Sequence, residues 1–253
     1  MNDKPVIDSL TEGFLRETME LLTRLFSTVL FFRHGEALKT NDDSDDRERA
    51  LTPRGRDQCL VARTVWWSGL FARSNTMTVI PQIRQLEESW GILNSHKPNS
   101  SNRIVIPFPE LYCGHLVYGD YLDWVKTIGK QLGHVALKAY VDGMDSAKCQ
   151  EYFLFYCLTC LRCLRVILEE NQRQIRTQLC PQLPSAATLV IPGHGVHLQA
   201  LAMLMTAYWP GLDPNVRGRI MEQLRTLELG EACGFSITAD GLARHNILHL
   251  PSK

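Results

Sequence analysis

Two short apolar runs in this chain end alike. Thr28 to Phe32 runs into Arg33-His34-Gly35-Glu36, and Thr188 to Ile191 runs into Pro192-Gly193-His194-Gly195. Runs rich in β-branched and aromatic residues read as buried strands. Each hands an imidazole and a glycine to the loop beyond its carboxyl end, where ligands sit in open α/β sheets. An imidazole beside a permanent cation suits attack on a phosphoryl group, because the Arg33 guanidinium can neutralise the charge on phosphorus oxygens. A single strand-end histidine is more often a loop residue or a satisfied core group. Two in the same context argue for more: if the strands are neighbours, the imidazoles face each other across one sheet edge.

Several elements must position them. Residues 7 to about 26 read as an amphipathic helix, with Leu10, Phe14, Leu15, Met19, Leu22, Leu25 and Phe26 at helical spacing, and it is expected on the outside of the domain. The polar stretch Asn41 to Arg49 is a loop beside the site. Thr52 caps a helix with Pro53 at its first position, running to about Phe71 with Leu60, Val61, Val65 and Trp66 buried. Thr76 to Ile80 and Ile104 to Phe108 are short strands, and Pro81 opens a helix carrying Arg84 near its start. A long helix from Asp145 or Ser146 reaches towards Leu179. Further helices cover about Val196 to Tyr208 and Arg219 to Leu229. Ala239-Asp240-Gly241 joins the last two apolar runs as a hairpin. Strands alternating with helices predict a three-layer α/β/α sandwich around a mostly parallel sheet. Residues 1–27 form a helical extension, residues 28–253 the domain, and residues 94–142 a candidate inserted cap.

The bulk numbers are those of an ordinary globular chain. It has 253 residues, 45% hydrophobic and 21% charged, with a formal net charge of zero. No long-range field points to a nucleic-acid or membrane partner. The polar start carries no signal-peptide core, and Arg162 and Arg165 interrupt the most apolar stretch, Tyr152 to Leu168. With eight cysteines, reduced thiols and a cytoplasmic location are expected.

Three blocks, Arg33-His34-Gly35-Glu36, Leu51-Thr52-Pro53-Arg54-Gly55-Arg56-Asp57-Gln58 and Ile191-Pro192-Gly193-His194-Gly195, together resemble the histidine phosphatase superfamily, also called phosphoglycerate mutase-like. The short gap between the first two is closest to its SixA-like phosphohistidine phosphatase branch. The resemblance implies a phosphoglycerate mutase-like fold and no cofactor. It implies that His34 is the nucleophile and carries a transient phosphohistidine, with one displacement split into two easier ones. It implies a phosphate pocket of Arg33, a second arginine, His194 and Gly195. In Ile80-Pro81-Gln82-Ile83-Arg84-Gln85 the family's Pro and Arg remain while its Ser and Ala are lost, so Arg84 is the second arginine. Glu110, in Phe108-Pro109-Glu110-Leu111, stands where a general acid is expected, with Glu36 as the competing carboxylate. Ala37-Leu38-Lys39 replaces the mutase continuation, and Ala37 replaces the second Arg of the acid phosphatase form.

The resulting expectation is a metal-independent phosphatase acting on a small phosphorylated substrate or a phosphoprotein. The alternatives are a mutase-type phosphotransferase and a catalytically weak phosphate-binding scaffold. Cys157, Cys160 and Cys163 have iron–sulfur-like spacing but lie in a helical pattern, so buried helix cysteines are the simpler reading. His194 and His197 are three apart, yet no third ligand is near them in sequence, and no metal site is expected.

Overall fold

The structure is a computed structural model that describes residues 8–39, 46–71, 75–95, 103–109, 146–179 and 187–247. The principal elements are α1 (Ser9–Leu25), β1 (Thr28–Arg33), α2 (Pro53–Ala62), β2 (Thr76–Ile80), α3 (Arg84–Asn94), β3 (Arg103–Pro107), α4 (Ser146–Gln178), β4 (Thr188–Gly193), α5 (Gly195–Ala207), α6 (Pro214–Thr226), β5 (Gly234–Thr238) and β6 (Gly241–His245). Six strands form one sheet in the order β3-β2-β4-β1-β5-β6. The first four in that order pair in parallel, and β5 and β6 close the sheet as an antiparallel hairpin.

The central strands are apolar on both sides, which is why they read as continuous runs rather than alternating ones. On β1, Val29 and Phe31 join the larger core with Leu189 and Ile191 of β4. Leu30 and Phe32 turn the other way and pack with Val190, Cys59, Ala62, Trp66 and Trp67. Helices α1, α4, α5 and α6 contribute to the first core, and α2 and α3 to the second. The expected three-layer sandwich is therefore present.

Helix α1, expected on the outside, lines the main core. Leu15, Met19, Leu22, Leu25 and Phe26 are buried in the same cluster as β1 and α4. Asp8 caps it, accepting from the Thr11 N–H at 2.7 Å, and Glu17 reaches Arg165 of α4 at 2.9 Å. The extension thus packs on the sheet beside α4.

Two local expectations fail for identifiable reasons. Leu60 and Val65 are exposed, not buried. After Ala62 the helix widens into a π-turn over Arg63–Trp67, which rotates the inward face so that adjacent Trp66 and Trp67 are both buried. Helix α6 begins five residues earlier than expected, at Pro214 rather than Arg219. Asp213 caps it through Asn215 and Val216, and Pro214 supplies the preset first helical residue that reads locally as a turn. Most of the candidate cap lies outside the described residues.

Candidate active site

The site sits where β1 and β4 end side by side. Arg33 pairs in register with Gly193, so His34 and His194, one residue further on, leave the sheet together. The chain returns from β1 through α2 and β2 to β2's place beyond β4, so the order reverses at this point and leaves a crevice at the carboxyl edge. His34 is 5% exposed; its Nδ1 donates to the Gly35 carbonyl oxygen at 2.6 Å. That bond assigns the ring proton to Nδ1 and leaves Nε2 with its lone pair. His34 Nε2 lies 3.1 Å from His194 Nδ1, with the rings edge to face at 5.0 Å between centroids.

Two glycines make this turn possible. A Cβ at Gly35 would run into the Gly55 carbonyl, and one at Gly55 would run into the backbone of Glu36. The first two sequence blocks are thus the two sides of one close backbone approach. Thr52 completes it: its N–H donates to the Glu36 carbonyl at 2.9 Å, and its hydroxyl donates to Glu36 Oε2 at 2.9 Å while accepting from Gly55 N–H. Ser89 of α3 accepts the Gly35 N–H at 3.2 Å.

Both imidazoles are held neutral. Burial, then the neighbouring His194, then Arg33 push His34 well below the ordinary histidine range. Burial, then Arg49, then Arg33 lower His194 to about 3. His197, at the first turn of α5, is lowered to about 3 by burial and by His194. Its Nε2 shares a 2.7 Å hydrogen bond with the Tyr152 hydroxyl, and Phe153 and Tyr156 pack around its ring. The electropositive character of the site therefore comes from guanidinium groups and not from imidazolium.

Arg33 is itself buried. Its Nη1 donates to the Leu229 carbonyl at 2.6 Å, and its Nη2 lies 3.9 Å from Glu231 Oε1. Gly195 opens α5 directly against the Arg33 side chain. His34, His194, Arg33 and Gly195 are thus brought together. Arg84 begins α3 at the carboxyl end of β2, but its half-exposed side chain pairs with Glu88 at 3.0 Å. Glu88 also accepts the Leu51 N–H at 3.0 Å and meets Arg56 at 3.6 Å. Glu36, held by Thr52, faces the α2 cap. Glu110 lies outside the described residues.

Sequence reasoning missed Arg49. It ends the polar loop after β1, just before the Leu51 bridge to Ala37, and its charge acts on both His34 and His194. The only signal available was its place immediately ahead of the Leu-Thr-Pro block. The Cys157, Cys160 and Cys163 set lies on α4 with Cys157 and Cys160 buried in the main core, as the simpler reading expects. Among the described residues no group of three metal-ligating side chains converges, and no helix is long and apolar enough to cross a membrane.

No family model matches the chain, and no curated protein matches it in sequence. Solved structures resemble it at low identity. The structure of mycobacterial hydrolase 2 is 12% identical, with 89% of this chain and 93% of that one covered and a TM-score of 0.48. A mycobacterial glucosyl-3-phosphoglycerate phosphatase in complex with VO3 is 12% identical, with 86% and 96% covered and a TM-score of 0.46. The protein histidine phosphatase SixA, in complex with tungstate, is 14% identical, with 86% and 93% covered and a TM-score of 0.41. The strand order and the paired strand-end histidines agree with the α/β sandwich that the three sequence blocks led us to expect.

Proposed function

We propose that this chain is a phosphatase that works through a phosphohistidine on His34, without a metal. The observation that carries the reading is the pair of contacts on one ring. Nδ1 of His34 is tied to the Gly35 carbonyl at 2.6 Å, and Nε2 is presented beside His194 at 3.1 Å. An imidazole so held is in one tautomer with Nε2 unprotonated, and burial keeps it neutral.

In the first step Nε2 of His34 forms a bond to phosphorus as the bond from phosphorus to the leaving oxygen or nitrogen breaks. The leaving atom takes a proton, which we assign to Glu110 as general acid. In the second step water attacks phosphorus and its proton passes to the same carboxylate. The P–N bond breaks, and inorganic phosphate leaves. Charge on the transferring oxygens is met by Arg33 and Arg49, by Nδ1–H of His194 and by the backbone N–H groups that open α5 at Gly195. Arg84 adds a further cation if a bound phosphoryl group draws it from Glu88. The substrate is a phosphate ester or phosphoramidate, on a small molecule or a phosphoprotein, and the chain works in the cytoplasm.

His34→Asn tests the proposal, because Asn keeps a polar side chain of similar reach but cannot accept phosphorus stably. Hydrolysis of an aryl phosphate should fall below detection while the far-UV circular dichroism is unchanged. Turnover retained by the variant would overturn the mechanism.

A further inference from the structure

One carboxylate stands beside the Arg33 guanidinium. Glu231 lies between α6 and β5, with Oε1 at 3.9 Å from Nη2 of Arg33. Its other oxygen, Oε2, accepts from Nε2 of Gln58 at 3.1 Å. Gln58 is buried, and its Oε1 accepts the Glu36 N–H at 2.8 Å. Glu231 is therefore held from two directions, by the cation and by an amide anchored on the nucleophile loop.

The orientation of Arg33 rests on other groups as well. Its Nη1 donates to the Leu229 carbonyl at 2.6 Å, and its backbone N–H donates to the Cys233 carbonyl at 2.9 Å. A separation of 3.9 Å adds little directional bonding. What Glu231 contributes is a fixed negative charge beside the guanidinium. With both imidazoles neutral, the described cations that act on them are Arg33 and Arg49. Glu231 offsets one of the two.

We infer that Glu231 is a specificity-determining residue that lowers the pocket's preference for doubly charged over singly charged tetrahedral oxyanions. The inference rests on the reading of this site as a phosphoryl pocket. A charge of this kind weakens the hold on a dianionic product more than on a transition state whose charge is spread over three equatorial oxygens. Inorganic phosphate is thereby released more readily. The motif blocks do not include Glu231, which sits in an unremarkable Leu-Gly-Glu-Ala stretch.

The test compares two tetrahedral oxyanions of similar size, molybdate as dianion and perrhenate as monoanion, titrated calorimetrically at constant pH and ionic strength. Glu231→Gln keeps an acceptor for Gln58 and removes the charge. At a ligand distance of about 6 Å in a water-like dielectric, the lost repulsion amounts to about threefold in affinity per unit of ligand charge. Molybdate should bind about tenfold tighter to E231Q and perrhenate about threefold tighter, so the dianion-to-monoanion ratio rises about threefold. Glu231→Asp, which keeps the charge, should hold the wild-type ratio. A purely structural role would not move this ratio. An unchanged or lowered ratio in a folded E231Q overturns the inference, and Glu231→Ser serves as the neutral variant if E231Q does not fold. Wild-type protein that binds neither anion would overturn the phosphoryl-pocket reading itself.

Discussion

His34 Nε2 and His194 Nδ1 meet at 3.1 Å across the ends of two parallel strands, 160 residues apart in the chain. The His34 ring proton is donated to the Gly35 carbonyl, so His194 Nδ1–H is the donor that faces Nε2 of His34. The same N–H is placed to donate to an oxygen of a phosphoryl group once that group occupies the space beside Nε2. Replacing His194 by Ala should cut kcat by about 10²–10³, the scale of losing one preorganised donor at a developing oxyanion. Single-turnover measurements with an aryl phosphate check this. A loss confined to KM would assign His194 to ground-state binding instead.

The contrast between Arg49 and Arg84 gives a second expectation. Arg49 acts electrostatically on both imidazoles, whereas Arg84 is half exposed and paired with Glu88. Surface ion pairs of that kind contribute little to stability, so Arg84→Ala should leave the fold intact. Arg49→Ala should lower kcat/KM by about a hundredfold, and Arg84→Ala by about tenfold or less. Steady-state kinetics on the two variants decide the order, and the reverse order would make Arg84 the principal second cation.

Much of this was legible in the sequence, for physical reasons that also mark where legibility ended. Buried parallel strands must be apolar on both faces, so Thr28 to Phe32 and Thr188 to Ile191 announce themselves, and the residues that follow each run are placed at the sheet edge. Thr52 and Pro53 encode a helix start in adjacent residues and are equally readable. The burial of Leu60 and Val65 was misread because the π-turn after Ala62 breaks the regular period on which face prediction depends. Arg49 escaped because a cation in a polar loop looks like any solvated arginine until the loop's return to Ala37 is known. Glu231 escaped for the same reason: its partners Arg33 and Gln58 are 198 and 173 residues away in sequence, and no local pattern records that distance.

Gly55 carries a stability prediction. Its missing Cβ faces the Glu36 backbone, which is fixed in turn by Thr52 and Gln58. Backbone on both sides cannot yield as a flexible side chain would. Gly55→Ala should therefore destabilise the fold by about 3 kcal/mol or more and displace the His34 loop, with activity falling in parallel. Urea denaturation checks the first effect, and a stability change under about 1 kcal/mol would show that the loop can shift. Gly69, at which an added Cβ meets nothing, is the control position.

The buried histidines fix how stability responds to acid. His194 and His197 are lowered to about 3 and His245 to about 4, each chiefly by burial, and His34 lies well below its ordinary value of 6.5 for the same reason. In the unfolded chain these groups titrate near 6.5, so between about pH 6.5 and 4 the unfolded state binds more protons than the native state. Stability is therefore fully present above about 6.5 and is lost as pH falls towards the folded values, by up to about 1.4 kcal/mol per pH unit for each such histidine. Urea midpoints should fall steadily from pH 7.5 to 5. His197→Phe removes one of these groups at a site walled by Tyr152, Phe153 and Tyr156, and should make the decline shallower. Catalysis follows a different rule. On the proposed mechanism, a nucleophile that remains neutral in the native state needs no deprotonation near 6.5, so kcat/KM should show no histidine-like acid limb there. A loss of kcat/KM centred near 6.5 in protein that is still folded would mean that His34 titrates as an exposed imidazole, and that the environment described for it is wrong.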